Sequence, residues 1–89
     1  MPYILKTERE KFNDLVKILV HDLSESGEYD GKLNYVISSI INGILKEKGK
    51  NYHELNKIIG VLECTKQELY RRVISPYEDI KIQENGDVY

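Results

Sequence analysis

Apolar residues recur at helical intervals in three long stretches separated by short polar breaks. Phe12, Leu15, Val16, Leu19, Val20 and Leu23 fall on one face of a 100° wheel, with Asn13, Lys17 and His21 away from it. This spacing predicts a first helix over about residues 8–24. Thr7-Glu8-Arg9-Glu10 would open it as a capping box, the threonine oxygen accepting from a free backbone N–H while Glu10 reaches back. Ser24-Glu25-Ser26-Gly27-Glu28 reads as the polar loop that ends it. Leu33, Val36, Ile37, Ile40, Ile41, Ile44 and Leu45 predict a second helix over about 31–48, with Asp30 as N-cap and Gly49 as the stop. Its β-branched residues are not ideal helix formers, but period-two alternation fails here, so helix is retained. The stripe covers about half the wheel, more than a surface helix needs. The second helix is therefore expected to be central in a bundle or shared with another subunit.

A third helix is predicted over about 52–74. Asn51-Tyr52-His53-Glu54 forms its capping box, and Leu55, Ile58, Ile59, Leu62, Leu69, Tyr70 and Val73 share one face. Gly60 costs such a helix about 1 kcal/mol relative to Ala, and would allow close packing or a slight bend. Pro76 is expected to stop the helix, because the residue before a proline is pushed away from the α region. Ser75-Pro76-Tyr77-Glu78 then reads as a third box, opening a short helix over about 76–84 that ends at Asn85-Gly86. A short strand at Ile80–Ile82, turning at Asn85-Gly86, is the alternative. The expected architecture is one all-α domain over residues 1–89: a small helical bundle of three main helices plus a short C-terminal helix. The broad face of the second helix, Ile18 outside the stripe of the first, and the small size of the chain point to a homo-oligomer.

Composition narrows the function classes. A net charge of −2 argues against broad nucleic-acid binding by a basic surface, while leaving room for a local basic pocket. Cys64 is the only cysteine, so no disulfide forms within the chain and the reducing cytosol is the expected compartment. No apolar run approaches the roughly 18 residues that span a bilayer. Met1-Pro2-Tyr3-Ile4-Leu5-Lys6 lacks the apolar stretch of a secretory signal. A cytoplasmic protein without a membrane partner is the expectation.

Catalytic chemistry is sparse. His21 and His53 fall on polar helix faces, with no Cys or His at metal-ligand spacing, and read as solvated surface histidines. Cys64 lies opposite the apolar stripe of its helix without a histidine one turn away, which suits a structural or subunit-contact thiol better than a nucleophile. No nucleophile elbow or Gly-rich phosphate loop occurs. A magnesium-dependent helical pyrophosphohydrolase needs carboxylates clustered on facing helices. Here Glu8, Glu10, Glu78 and Asp79 stand at helix starts, where the helix dipole favours them without any further role, and Glu25 and Glu28 in a loop. No catalytic residue, metal ligand or cofactor is assigned, and a small nucleotide-processing enzyme is kept as an alternative.

One constellation departs from the pattern. Lys66 falls within the apolar stripe of the third helix, between Leu62 and Leu69, with Glu63 one turn before it and Tyr70 one turn after. Asn34 lies within the apolar half of the second helix. The simpler reading pairs Lys66 with Glu63 or extends its ammonium to solvent. The functional reading makes Lys66, Tyr70, Arg71 and Arg72, with Asn34 and Tyr35, line a pocket for a small anionic ligand, the tyrosine stacking on a base. The seven tyrosines suit interface or edge-of-core packing better than ligand stacking, and Tyr3, Tyr77 and Tyr89 stand near the ends, where they could pin the termini to the bundle or to a neighbour.

Leu33-Asn34-Tyr35-Val36-Ile37, Ile59-Gly60-Val61-Leu62-Glu63-Cys64 with Lys66 and Glu68, Tyr70-Arg71-Arg72-Val73, Ser75-Pro76-Tyr77-Glu78 and Asn85-Gly86-Asp87-Val88-Tyr89 form an ordered motif set. It resembles a family of short proteins, common in bacteriophage and prokaryotic genomes, across roughly the C-terminal two-thirds of the chain. The resemblance implies no activity. Together with the residue pattern and the analogy to small helical phage proteins that take up host immune signals, it leads to two expectations. One is a non-enzymatic binding protein that sequesters a small phosphorylated nucleotide at a subunit interface, evading host defence. The other is an interaction module that inhibits a host protein.

Overall fold

The computed structural model describes residues 3–89. It is all-α, with α1 at Lys6–Ser24, α2 at Asp30–Lys48, α3 at Tyr52–Leu69, a π-helical turn at Tyr70–Ile74 and α4 at Ser75–Asn85. There is no strand among the described residues, and the hairpin considered for Ile80–Ile82 is helix instead. The chain divides into two units, residues 1–42 and 43–89, with α2 contributing to both.

In the first unit, α1 begins earlier than the capping box implies. Leu5 is the residue before the helix, extended at φ −67° and ψ 150°, and its carbonyl accepts from Glu8 N at 3.0 Å and Arg9 N at 3.3 Å. Thr7 is inside the helix and makes no cap. Starting two residues sooner adds backbone bonds, which outweigh the single side-chain bond that Thr7 would have made. α2 starts at Asp30, where the Tyr29 carbonyl accepts from Leu33 N at 2.8 Å. Leu19, Leu23, Val36 and Ile41 are half-buried; the other apolar positions of α1, including Ile18, are exposed.

In the second unit, α2 closes as the sequence predicts. Gly49 sits at φ +92°, a conformation that side chains disfavour, and its N–H donates to the Leu45 carbonyl at 2.8 Å. Asn51 then caps α3, its Oδ1 accepting from Glu54 N at 3.0 Å.

Pro76 does not stop the helix. Leu69, Tyr70, Ile74 and Ser75 all keep right-handed helical dihedrals, and Ser75 shows no side-chain cap. The chain accommodates the proline by widening one turn, so that the Ser75 N–H donates to the Tyr70 carbonyl, five residues back. Proline lacks an N–H and its ring crowds the carbonyl four residues earlier, here that of Arg72; a turn that abandons the ordinary spacing at that point relieves both. Residues 52–85 therefore run as one helix with a π turn inside it. It ends at Gly86, φ +86°, whose N–H donates to the Ile82 carbonyl at 2.8 Å.

None of the described residues is buried. Leu45, Ile58 and Ile74 are the half-buried apolar side chains of the second unit, and Leu55, Ile59, Leu62, Leu69 and Val73 stand in solvent. The helical stripes are present, and their apolar faces are uncovered.

Candidate functional site

The six residues singled out by sequence fall in both units. Asn34 and Tyr35 belong to the first, near the start of α2. The Asn34 Oδ1 accepts from the Ser38 hydroxyl at 3.1 Å, so the amide oxygen has a partner one turn along its own helix. Tyr35 is exposed.

Lys66, Tyr70, Arg71 and Arg72 belong to the second unit. Lys66 on α3 is not desolvated: its side chain is 59% exposed, and its Nζ lies 3.4 Å from Glu63 Oε1. This is the ion pair of the simpler reading, and its position in the stripe leaves it in water because nothing covers the stripe. Gln67 Nε2 donates to the same Glu63 oxygen at 3.0 Å. The Gln67 amide, and after it the Lys66 ammonium, hold the Glu63 carboxyl below its ordinary value of 4.5.

The two arginines converge on one acid. Arg71 Nη2 lies 3.4 Å and Arg72 Nη1 3.8 Å from the same Glu68 oxygen. Two guanidinium charges meet one carboxylate, so these three side chains carry one positive charge in excess; Tyr70 is exposed. The π turn carries Tyr70 and both arginines. The sequence singled out these residues but not the turn: Ser75-Pro76-Tyr77-Glu78 reads as a capping box, and the signal for a widened turn is a proline following an uninterrupted helical pattern.

Elsewhere the chemistry is modest. His21 Nε2 lies 3.2 Å from Glu25 Oε1 on the surface of α1, and Cys64 is exposed. Among the described residues no three His, Cys, Asp or Glu side chains stand close enough to share a metal ion. At the C-terminus an open groove of about 340 Å³ runs between α4 and the tail, lined by Lys81, Ile82, Gly86, Val88 and Tyr89 among others. Asp87 Oδ1 accepts from Tyr89 N at 3.0 Å, and Lys81 Nζ sits 5.5 Å from the centroid of the Tyr77 ring. Among the described residues no helix is long and apolar enough to cross a membrane.

These features define a small all-α chain with exposed apolar side chains and a cationic turn. It belongs to the family described as a domain of unknown function, DUF6899, which it matches over residues 1–88. No curated protein and no solved structure matches it.

Proposed function

We propose that this chain is a non-enzymatic binding protein of phage or mobile-element type. It associates with further copies of itself and sequesters a small phosphorylated nucleotide signal at a subunit interface. The observation that supports the ligand is a shared acid at the end of α3: Arg71 and Arg72 of the π turn divide one Glu68 carboxylate, leaving cationic capacity for phosphate oxygens on the turn that also carries Tyr70. The tyrosine ring offers a face for a base, and Lys66 is one turn away on the same helix.

Calorimetry with nucleoside mono-, di- and triphosphates tests the reading. The wild-type chain is expected to bind one of them stoichiometrically and release it unchanged, with Arg71→Ala and Lys66→Met each weakening binding about tenfold, the value of a charged hydrogen bond. Metal-dependent turnover of the nucleotide would favour the enzyme alternative instead.

The exposed apolar faces favour a second reading, a module that docks an amphipathic helix onto a host protein and inhibits it. Native mass spectrometry of protein recovered from its parental cell separates the two. A retained small molecule supports the first, and a retained host protein with none supports the second.

A further inference from the structure

The chain places glycine directly after asparagine at Asn42-Gly43 and at Asn85-Gly86. Asparagine is a thermolabile residue, and this order of residues is its reactive form. The backbone nitrogen of the following residue can attack the asparagine side-chain carbonyl carbon, and a glycine, lacking Cβ, leaves the approach open. Both asparagines are exposed, and a Cβ at either glycine would meet nothing within 4 Å, so access and neighbours do not tell the two pairs apart. The backbone does.

Asn42 lies inside α2, which continues on both sides of it to Asp30 and Lys48. Bringing the Gly43 nitrogen to the Asn42 side chain swings the Asn42 ψ out of the helical range and breaks several ladder bonds together. Asn85 is the last residue of α4, and residues 86–89 follow it without helix. The same rotation there breaks one backbone bond, from the Gly86 N–H to the Ile82 carbonyl at 2.8 Å. A terminal bond opens far more readily than the middle of a helix.

We infer that Asn85 is a site of spontaneous modification, and that α2 shields Asn42 from the same reaction. The Gly86 nitrogen bonds to the Asn85 Cγ, the Cγ–Nδ2 bond breaks, and the proton given up by the Gly86 nitrogen leaves with the departing ammonia. Water then opens the resulting succinimide. Cleavage at the side-chain carbonyl gives aspartate; cleavage at the main-chain carbonyl gives isoaspartate, in which the chain runs through the side-chain methylene.

Either product sets a carboxylate at the negative end of α4, where the helix dipole disfavours it. Its neighbour Glu84 already holds Lys81, Oε2 to Nζ at 3.1 Å, so that lysine is engaged. Isoaspartate also lengthens the main chain at the joint between α4 and the tail, where Gly86, Val88 and Tyr89 line the groove. The change is slow, runs one way, and is independent of nucleotide binding.

Peptide mass spectrometry of the whole chain, aged in mildly alkaline buffer, tests it. Chromatography separates isoaspartate from aspartate, and circular dichroism confirms that helix is retained. Conversion is expected to be at least about tenfold faster at Asn85 than at Asn42, with isoaspartate among the products. In urea the two rates should come together. Gly86→Ala should slow the reaction at Asn85, because its Cβ hinders the attack, and leave Asn42 unchanged. Similar rates at the two positions in the folded chain overturn the inference, and so does an Asn85 that stays intact while the chain in urea converts. Aspartate without isoaspartate, or a Gly86→Ala chain that reacts as fast as wild type, overturns the ring-forming route.

Discussion

Asn51 shows how a single side chain sets an element, since its Oδ1 holds a Glu54 N–H that the helix itself cannot satisfy. Asn51→Ala should cost about 1 kcal/mol, read as a lower urea midpoint with unchanged slope. Asn51 was legible in the sequence because its geometry is local: an amide three residues before a glutamate, following a glycine that ends the previous helix. Thr7 had the same local signature and failed, because the backbone could extend α1 back to Leu5 and needed no side chain. Lys66 was legible in position but not in burial, since a wheel shows where a side chain points and not whether anything covers it. Its partner Glu63 has a lowered pKa, owed first to Gln67 and then to Lys66. A depressed carboxylate stabilises the fold above its unfolded pKa, and that contribution disappears as pH falls through the folded value. The Glu63 carboxyl, followed by nuclear magnetic resonance, is expected to titrate below 4.5, and Gln67→Ala to move its midpoint upward. A midpoint at or above 4.5 would show that neither neighbour holds it.

Among the elements, the three long helices were readable because 3.6-residue periodicity persists over five turns and more, whatever the tertiary surroundings. The join at Pro76 was not. Sequence rules weigh a proline against an ordinary α-helix, where it breaks a bond, and give no weight to a widened turn that has already given that bond up. If Pro76 causes the π turn, Pro76→Ala should return residues 70–74 to α-helical bonding, raise helix content and stabilise the chain. The intrinsic penalty of proline, about 3 kcal/mol, sets the upper bound. A structure of the variant that keeps the Ser75-to-Tyr70 bond would assign the turn to another cause. Gly60 provides a complementary measurement. A Cβ at this position meets nothing within 4 Å in the single chain, so Gly60→Ala should stabilise α3 by about 1 kcal/mol. Destabilisation instead would mean that another helix lies against Gly60 in solution.

At the scale of the whole molecule, the amphipathic faces were legible and their covering was not. A hydrophobic stripe specifies that a surface must be hidden, but the same stripe serves a neighbouring helix of the same chain or one from another copy equally well. The width of the α2 face and the small chain length point toward association as an expectation from sequence, and none of the described residues is buried. A folded state that exists only when copies meet has a stability inseparable from concentration. For a dimer, each tenfold increase in chain concentration should add about 1.4 kcal/mol to apparent stability. The melting temperature of the wild-type chain should therefore climb steadily over a hundredfold range. Light scattering across that range should show the fall in mass on dilution, accompanied by loss of helix content. α1 and α2 are 19 residues each, short enough that isolated helices of their polarity are marginal in water. Helicity that survives dilution to a monomer, with a melting temperature independent of concentration, would mean that the chain hides its own stripes, and would remove the physical basis for placing a ligand between subunits.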